Sequence, residues 1–194
     1  SEKISQKLGV PVSLFGLSAL GGIGATMTGF AEKAADTSNA LTKIGGNAQD
    51  LQVFRKAAEL AHIPIEVMDK GLEKLNKNLG EAGGGKNKEF AAMMTKLKIP
   101  LRNANLEMRT AGEILPELAD AFKKNGNAAM RGRIGAVAFG QKMGSKLIPM
   151  MVKGSASFIE TREHLDSLGA VRSDTAFKGA ADVEHQFDWR SIAG

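Results

Sequence analysis

Between Ala138 and Met151 the chain reads AFGQKMGSKLIPMM, in which Gly140, Gly144 and Lys146 sit close together after an apolar run. Glycines beside a lysine are the raw material of a phosphate loop, because backbone amides can wrap the oxygens while the ammonium neutralises their charge. The spacing does not fit the form GxxxxGK followed by Ser or Thr. Only three residues separate Gly140 from Gly144, Ser145 parts Gly144 from Lys146, and Leu147 stands where the magnesium-holding hydroxyl belongs. Other chemistry fares no better. His62, His164 and His185 are scattered, so no two imidazoles share a helical face for a metal. Glu184, His185 and Asp188 fall together in the manner of a solvated polar helix face. The serine contexts GLSAL and GSASF lack the closing Gly of a nucleophile elbow. With no Cys in the chain, disulfides, thiolate zinc sites and cysteine nucleophiles are excluded. No catalytic residue, cofactor site or metal site emerges, and the expectation is a protein that is not an enzyme.

Charge is the better chemical signal. The formal net charge is +5, and its distribution is uneven. From Ala121 to Ile159 there is no Asp or Glu, while Lys123, Lys124, Arg131, Arg133, Lys142, Lys146 and Lys153 all fall inside. Cations gathered on one surface can contact the phosphates of DNA or lipid without any base-reading motif. Arg131, Arg133, Lys142 and Lys146 are the candidate contacts. Phe139 and Phe158 are the only aromatics after Phe122 in that block, which gives little for stacking on single strands. The competing reading is a merely solvated basic helix face.

The elements that would carry these residues read as helices. Ala, Leu, Met, Lys and Glu abound, aromatics make up 5%, and the β-branched residues do not alternate. Val10 to Ala31 is a run of 22 uncharged residues, long enough to cross a bilayer but weakened by Gly16, Gly21, Gly22, Gly24 and Gly29. It reads as a protein-packed helix, a membrane or oligomer contact, or a signal segment after Lys3 and Lys7. Asn47 with Asp50 marks a helix start, followed by a stripe of Leu51, Phe54 and Ala58 and then Pro64 at the opening of a second helix. There Ile65, Met68, Leu72, Leu75 and Leu79 repeat at spacings of three and four, the pattern of a packing seam. The stretch from Gly80 to Lys88 reads as a loop, and Phe90, Met93, Met94 and Leu97 as a short helix ending before Pro100. Thr110 and Glu113 form a capping box ahead of Ile114, Leu115, Leu118 and Phe122. Asn125 and Gly126 end that helix, Asn127 caps the next, and Gly154 and Gly169 punctuate two more. In the opening phrase, Phe139, Leu147, Ile148, Met150 and Met151 are expected to anchor a helix, turn and helix, with Gly140 and Gly144 permitting the turn and Pro149 restricting continuation. The expected fold is all-α, with seven or eight short to medium helices, extended or loosely bundled. A Gly-rich apolar helical segment would occupy 1–46 and a second region 47–194. Beginning at Ser1 and ending in SIAG, the chain reads as part of something longer.

The order of these segments, LQVFRKAAELAHIPIEVMDKGLEKLNKNLGEA, a Gly-rich gap, TAGEILPELADAF and AFGQKMGSKLIPMMVKG, resembles the tail tape measure proteins of long-tailed bacteriophages. Leu51 to Phe54, Ile63 with Pro64, and Leu72 to Leu79 stand at the places of the family's first helices. Phe139, Gly140, Gly144, Leu147 and Pro149 match its most specific phrase, and Leu165 to Val171 resembles the turn that follows. RNANLEMR departs from the family pattern by lacking a Gly before the Arg109 segment. The resemblance implies a structural virion protein of the tail lumen, present in the host cytoplasm during assembly. It further implies a helical ruler that sets tail length, followed by a role in DNA ejection or passage across the host membrane. Implied partners are the tail tube and tail tip proteins, the tail assembly chaperones and further copies of the chain, with a trimer plausible. The resemblance implies no cofactor. Two rival readings remain open at the level of sequence: a membrane-active helical module and a non-specific DNA-binding helical protein.

Overall fold

The structure is a computed structural model that describes residues 39–41, 43–44 and 46–168. Two compact units are distinguished, and nearly all described residues belong to the one running from Thr42 to Val171. The protein is all-α. Within the described part of that unit, seven helices follow one another: α1 (Ala48–Leu60), α2 (Ile65–Gly83), α3 (Lys88–Leu97), α4 (Ala111–Lys124), α5 (Ala128–Phe139), α6 (Gln141–Met151) and α7 (Ala156–Ser167). No strand occurs among the described residues, only an isolated antiparallel bridge between Arg102 and Met108 in the loop before α4. The apolar Val10–Ala31 segment, Gly169, Ser173, which in sequence reads as the opening of a last helix, and the Glu184, His185, Asp188 cluster lie outside the described residues.

Local side-chain chemistry sets most of the helix starts. Asn47 accepts from the Asp50 amide at 2.7 Å, and Asn127 accepts from the amides of Ala129 and Met130. Thr110 and Glu113 make both halves of the capping box, satisfying amides that the first turn of α4 cannot bond internally. Helix α3 stops at Lys98, which takes a left-handed conformation while Ile99 N–H bonds back to Met94 O at 2.9 Å. That turn drops Ile99 into the core ahead of Pro100.

Helix α2 lies against α1, α3, α4, α5 and α6, so its apolar side forms the centre of the unit. Met68, Leu72, Leu75 and Leu79 of the expected seam are fully or almost fully buried. Ile65 is not: it is 43% exposed, because it is the first residue of α2, one position beyond Pro64, where the helix has not yet entered the core. Val67 and Gly71 take buried places beside the seam instead. The stretch expected as a loop from Gly80 is shorter than its glycines suggested. Helix α2 continues to Gly83, and Met108 packs on that residue from the next loop, leaving only 84–87 between α2 and α3. Phe90, Phe122 and Phe139 supply the largest buried side chains, and Phe54 meets Phe158 edge to face at 5.2 Å, joining α1 to α7.

Candidate functional site

The phrase from Phe139 to Met151 is where α5 gives way to α6 with a single residue between them. Gly140 separates α5 from α6 with φ 79° and ψ 153°, backbone space that is open essentially to glycine alone. Gly144 does not contribute to that turn. It lies inside α6, where its α-carbon faces Gly135 of α5 so closely that an added Cβ would overlap the Gly135 carbonyl and come within 2.9 Å of Ala136 N. The two helices thus touch backbone to backbone. Leu147, one turn further along α6, extends over Gly71 of α2, with Phe139 beside it. Pro149 does not end α6 either, since the helix runs on to Met151. It removes one backbone donor, and the residue whose carbonyl loses that bond, Ser145, is exposed to water.

A sharp corner leaves the last carbonyls of α5 without helical partners, and the sequence supplies one from elsewhere. The Asn78 amide on α2, 1% exposed, donates to both Val137 O and Ala138 O at 3.0 Å. Its own carbonyl accepts from Asn87, whose side chain in turn caps α3 by accepting from Phe90 N–H. One buried chain of amides therefore joins the end of α5 to the start of α3. A second interhelical cap works on a carboxylate: Asp120 of α4 accepts from both the backbone N–H and the hydroxyl of Ser155, at 2.8 and 2.9 Å, just ahead of α7. A negative charge there also complements the positive end of the α7 dipole.

The basic block divides once its residues are placed. Arg131 is half-buried and donates from Nε to Phe122 O at 3.0 Å, so its guanidinium closes the end of α4. Arg133, Lys142 and Lys146 are exposed, as are Lys123, Lys124 and Lys153. The ion pairs among the described residues fall outside the block: Arg55 with Asp69, Lys56 with Glu59, Lys77 with Glu81, Arg109 with Glu117, and Arg162 with Asp50. Phe139 and Phe158, the aromatics of the block, are buried and present no stacking surface.

Of the acidic groups, Glu113 is held below its ordinary range, chiefly by the hydrogen bond from the Thr110 backbone N–H, which outweighs the opposing desolvation, while the Thr110 hydroxyl and the nearby Arg109 add smaller lowering effects. That is the signature of a cap, not of a proton donor. Among the described residues no group of three His, Asp or Glu side chains could hold a metal ion, and no helix is long and apolar enough to cross a membrane. No protein-family model, curated protein or solved structure matches the chain.

Proposed function

We propose that the chain is part of a structural protein of a phage tail, of the tape measure type, and that the unit from Thr42 to Val171 is a folded module along it. The observation that carries this reading is that four of the five residues of the phrase that most specifically bears the resemblance pack at the corner between α5 and α6, Pro149 being the exception. Phe139 is buried, Gly140 holds the turn, Gly144 is the backbone contact and Leu147 fills the space over Gly71. A phrase whose spacing is dictated by one particular fold is a more specific mark of kinship than a hydrophobic pattern.

The module's part in the tail follows from its dimensions. A ruler converts residues into length at about 1.5 Å each only while the chain runs on as one helix. Here the longest helix among the described residues has 19 residues, which span about 28 Å, and every following helix turns back onto the others. The module is accordingly a packed knot on the tape, suited to contact with tail tube, tail tip, assembly chaperones or further copies of the chain, while length is counted in other stretches of the parent protein. Purified tails analysed by mass spectrometry are expected to contain peptides from this chain at a few copies per virion; their absence from intact virions would sink the reading.

A further inference from the structure

The exposed face of α6 is a built row of cations. At 3.6 residues per turn, Lys142 and Lys146 lie about 40° apart around the axis of α6. Lys153 follows the last residue of α6 by two, in the turn that closes the helix, where Val152 N–H bonds to Ile148 O and Lys153 N–H to Met150 O. Lys123 joins the row from α4, its side chain lying against Gly154, where an added Cβ would meet Lys123 Cδ at 2.7 Å and, at 3.0 Å, Asp120 Oδ1, a carboxylate engaged by the Ser155 N–H and hydroxyl. All four lysines are exposed, and among the described residues none is held in an ion pair. Elsewhere in the unit Arg55, Lys56, Lys77, Arg109 and Arg162 find carboxylates while others such as Lys70, Lys88 and Lys96 do not, so what sets this face apart is the run from Ala121 to Ile159 without Asp or Glu.

We infer that this face, formed by Lys142, Lys146, Lys153 and Lys123, is a contact surface for the phosphate backbone of duplex nucleic acid. Three features select that partner. Lysines act as point charges without the planar fork that reads bases or single phosphomonoesters, so recognition is of a repeating polyanion irrespective of sequence. No aromatic side chain is exposed on the face, since Phe122, Phe139 and Phe158 are all buried, which removes the stacking platform that single strands require. A membrane-surface helix needs an apolar side next to its cations, but the apolar side of α6, with Gly144, Leu147, Met150 and Met151, is buried in the core. The assignment depends only on the disposition of charge, and so stands or falls apart from the tail proposal.

The test is titration of the full chain with a random-sequence DNA duplex and, in parallel, with vesicles of phosphatidylcholine and phosphatidylserine. If the four lysines each neutralise one phosphate, the slope of log K against log salt is about −3.6, which lowers affinity roughly 150-fold between about 50 and 200 mM salt. The triple variant Lys142→Gln, Lys146→Gln, Lys153→Gln should keep the wild-type melting temperature and lose about 2.7 of that slope. The variant Arg131→Gln should lower the melting temperature and leave the slope unchanged. No binding to the duplex at low salt, an unaltered slope in the triple variant, or binding confined to the vesicles would each overturn the inference.

Discussion

The contact between Gly135 and Gly144 makes a sharp prediction. An alanine at position 144 would place its Cβ into the Gly135 carbonyl, with Ala136 N 2.9 Å away. All of these atoms are backbone, so no rotamer change can clear them. Relief requires α5 and α6 to part by on the order of 1 Å to restore ordinary van der Waals separation. That movement would lift Leu147 from Gly71 and weaken the Asn78 bonds to Val137 and Ala138. Overpacking of this kind costs about 1–3 kcal/mol, and the opposing backbone places it at the upper end. The gain of Ala over Gly in a helix interior, about 1 kcal/mol, offsets part of this and leaves Gly144→Ala about 2 kcal/mol less stable than wild type. Gly132 on α5 is the control, because an added Cβ there meets nothing within 4 Å. Gly132→Ala should be about 0.5–1 kcal/mol more stable than wild type. Gly135→Ala, whose Cβ would stand 3.2 Å from the Gly144 carbonyl carbon and oxygen, should fall between them. At roughly 3–5 °C per kcal/mol for a unit of this size, the melting temperatures of Gly132→Ala and Gly144→Ala should differ by on the order of 10 °C. Thermal and urea unfolding followed by circular dichroism would read the order directly. A Gly144→Ala protein as stable as Gly132→Ala would refute the backbone contact and the corner built on it.

Three further substitutions probe other parts of the unit. Asn78→Leu should lower stability by about 2–4 kcal/mol, because it leaves the Val137 and Ala138 carbonyls without their donor and takes one acceptor from the Asn87 amide, and the shift in urea midpoint measures it. Ile65→Gln should change stability by less than about 0.5 kcal/mol while Leu72→Ala costs about 2–5 kcal/mol, and equal effects would mean that the seam includes Ile65 after all. Because Glu113 is held below its ordinary value of 4.5, its capping contribution is fully present above that pH and is lost as the pH falls through the lower folded value. Glu113→Gln should therefore flatten the fall in stability across that acidic window, and an unchanged pH profile would count against the cap as its cause.

Much of the helical framework was legible in the sequence, because the signals that start and stop helices are short-range. Asn47, Asn127 and the Thr110 and Glu113 box cap their own first turns, so residue type and spacing suffice to find them. The buried stripes Leu51, Phe54, Ala58 and Ile114, Leu115, Leu118, Phe122 follow from periodicity in the same way. What the sequence hid depends on where another helix passes. Gly144 reads as a turn residue beside Gly140, and only the approach of Gly135 reveals a packing contact. Gly80 to Gly83 reads as a loop because glycine has low helix propensity, yet the preceding helix runs through it with Met108 packed on Gly83. Ile65 satisfied the seam spacing, but spacing does not say how far from a helix end the core begins. Arg131 reads in sequence as a candidate phosphate contact and Asp120 carries no signal at all, because neither the carbonyl of Phe122 nor the amide of Ser155 can be placed beside them from spacing alone. The exposed lysine face was visible as an acid-free block, but its membership was not, since Lys153 and Lys123 join it only through the turn at Gly154.

Tail length measured by electron microscopy, in phage carrying an in-frame deletion of residues 48–167 from the parent gene, tests the central claim most directly. A folded module on a tape measure protein predicts tails of nearly unchanged length, or tails whose assembly fails for want of the module's contacts. Removing the same stretch from one continuous helical ruler would shorten every tail by about 180 Å. Tails shortened by that amount would contradict the account.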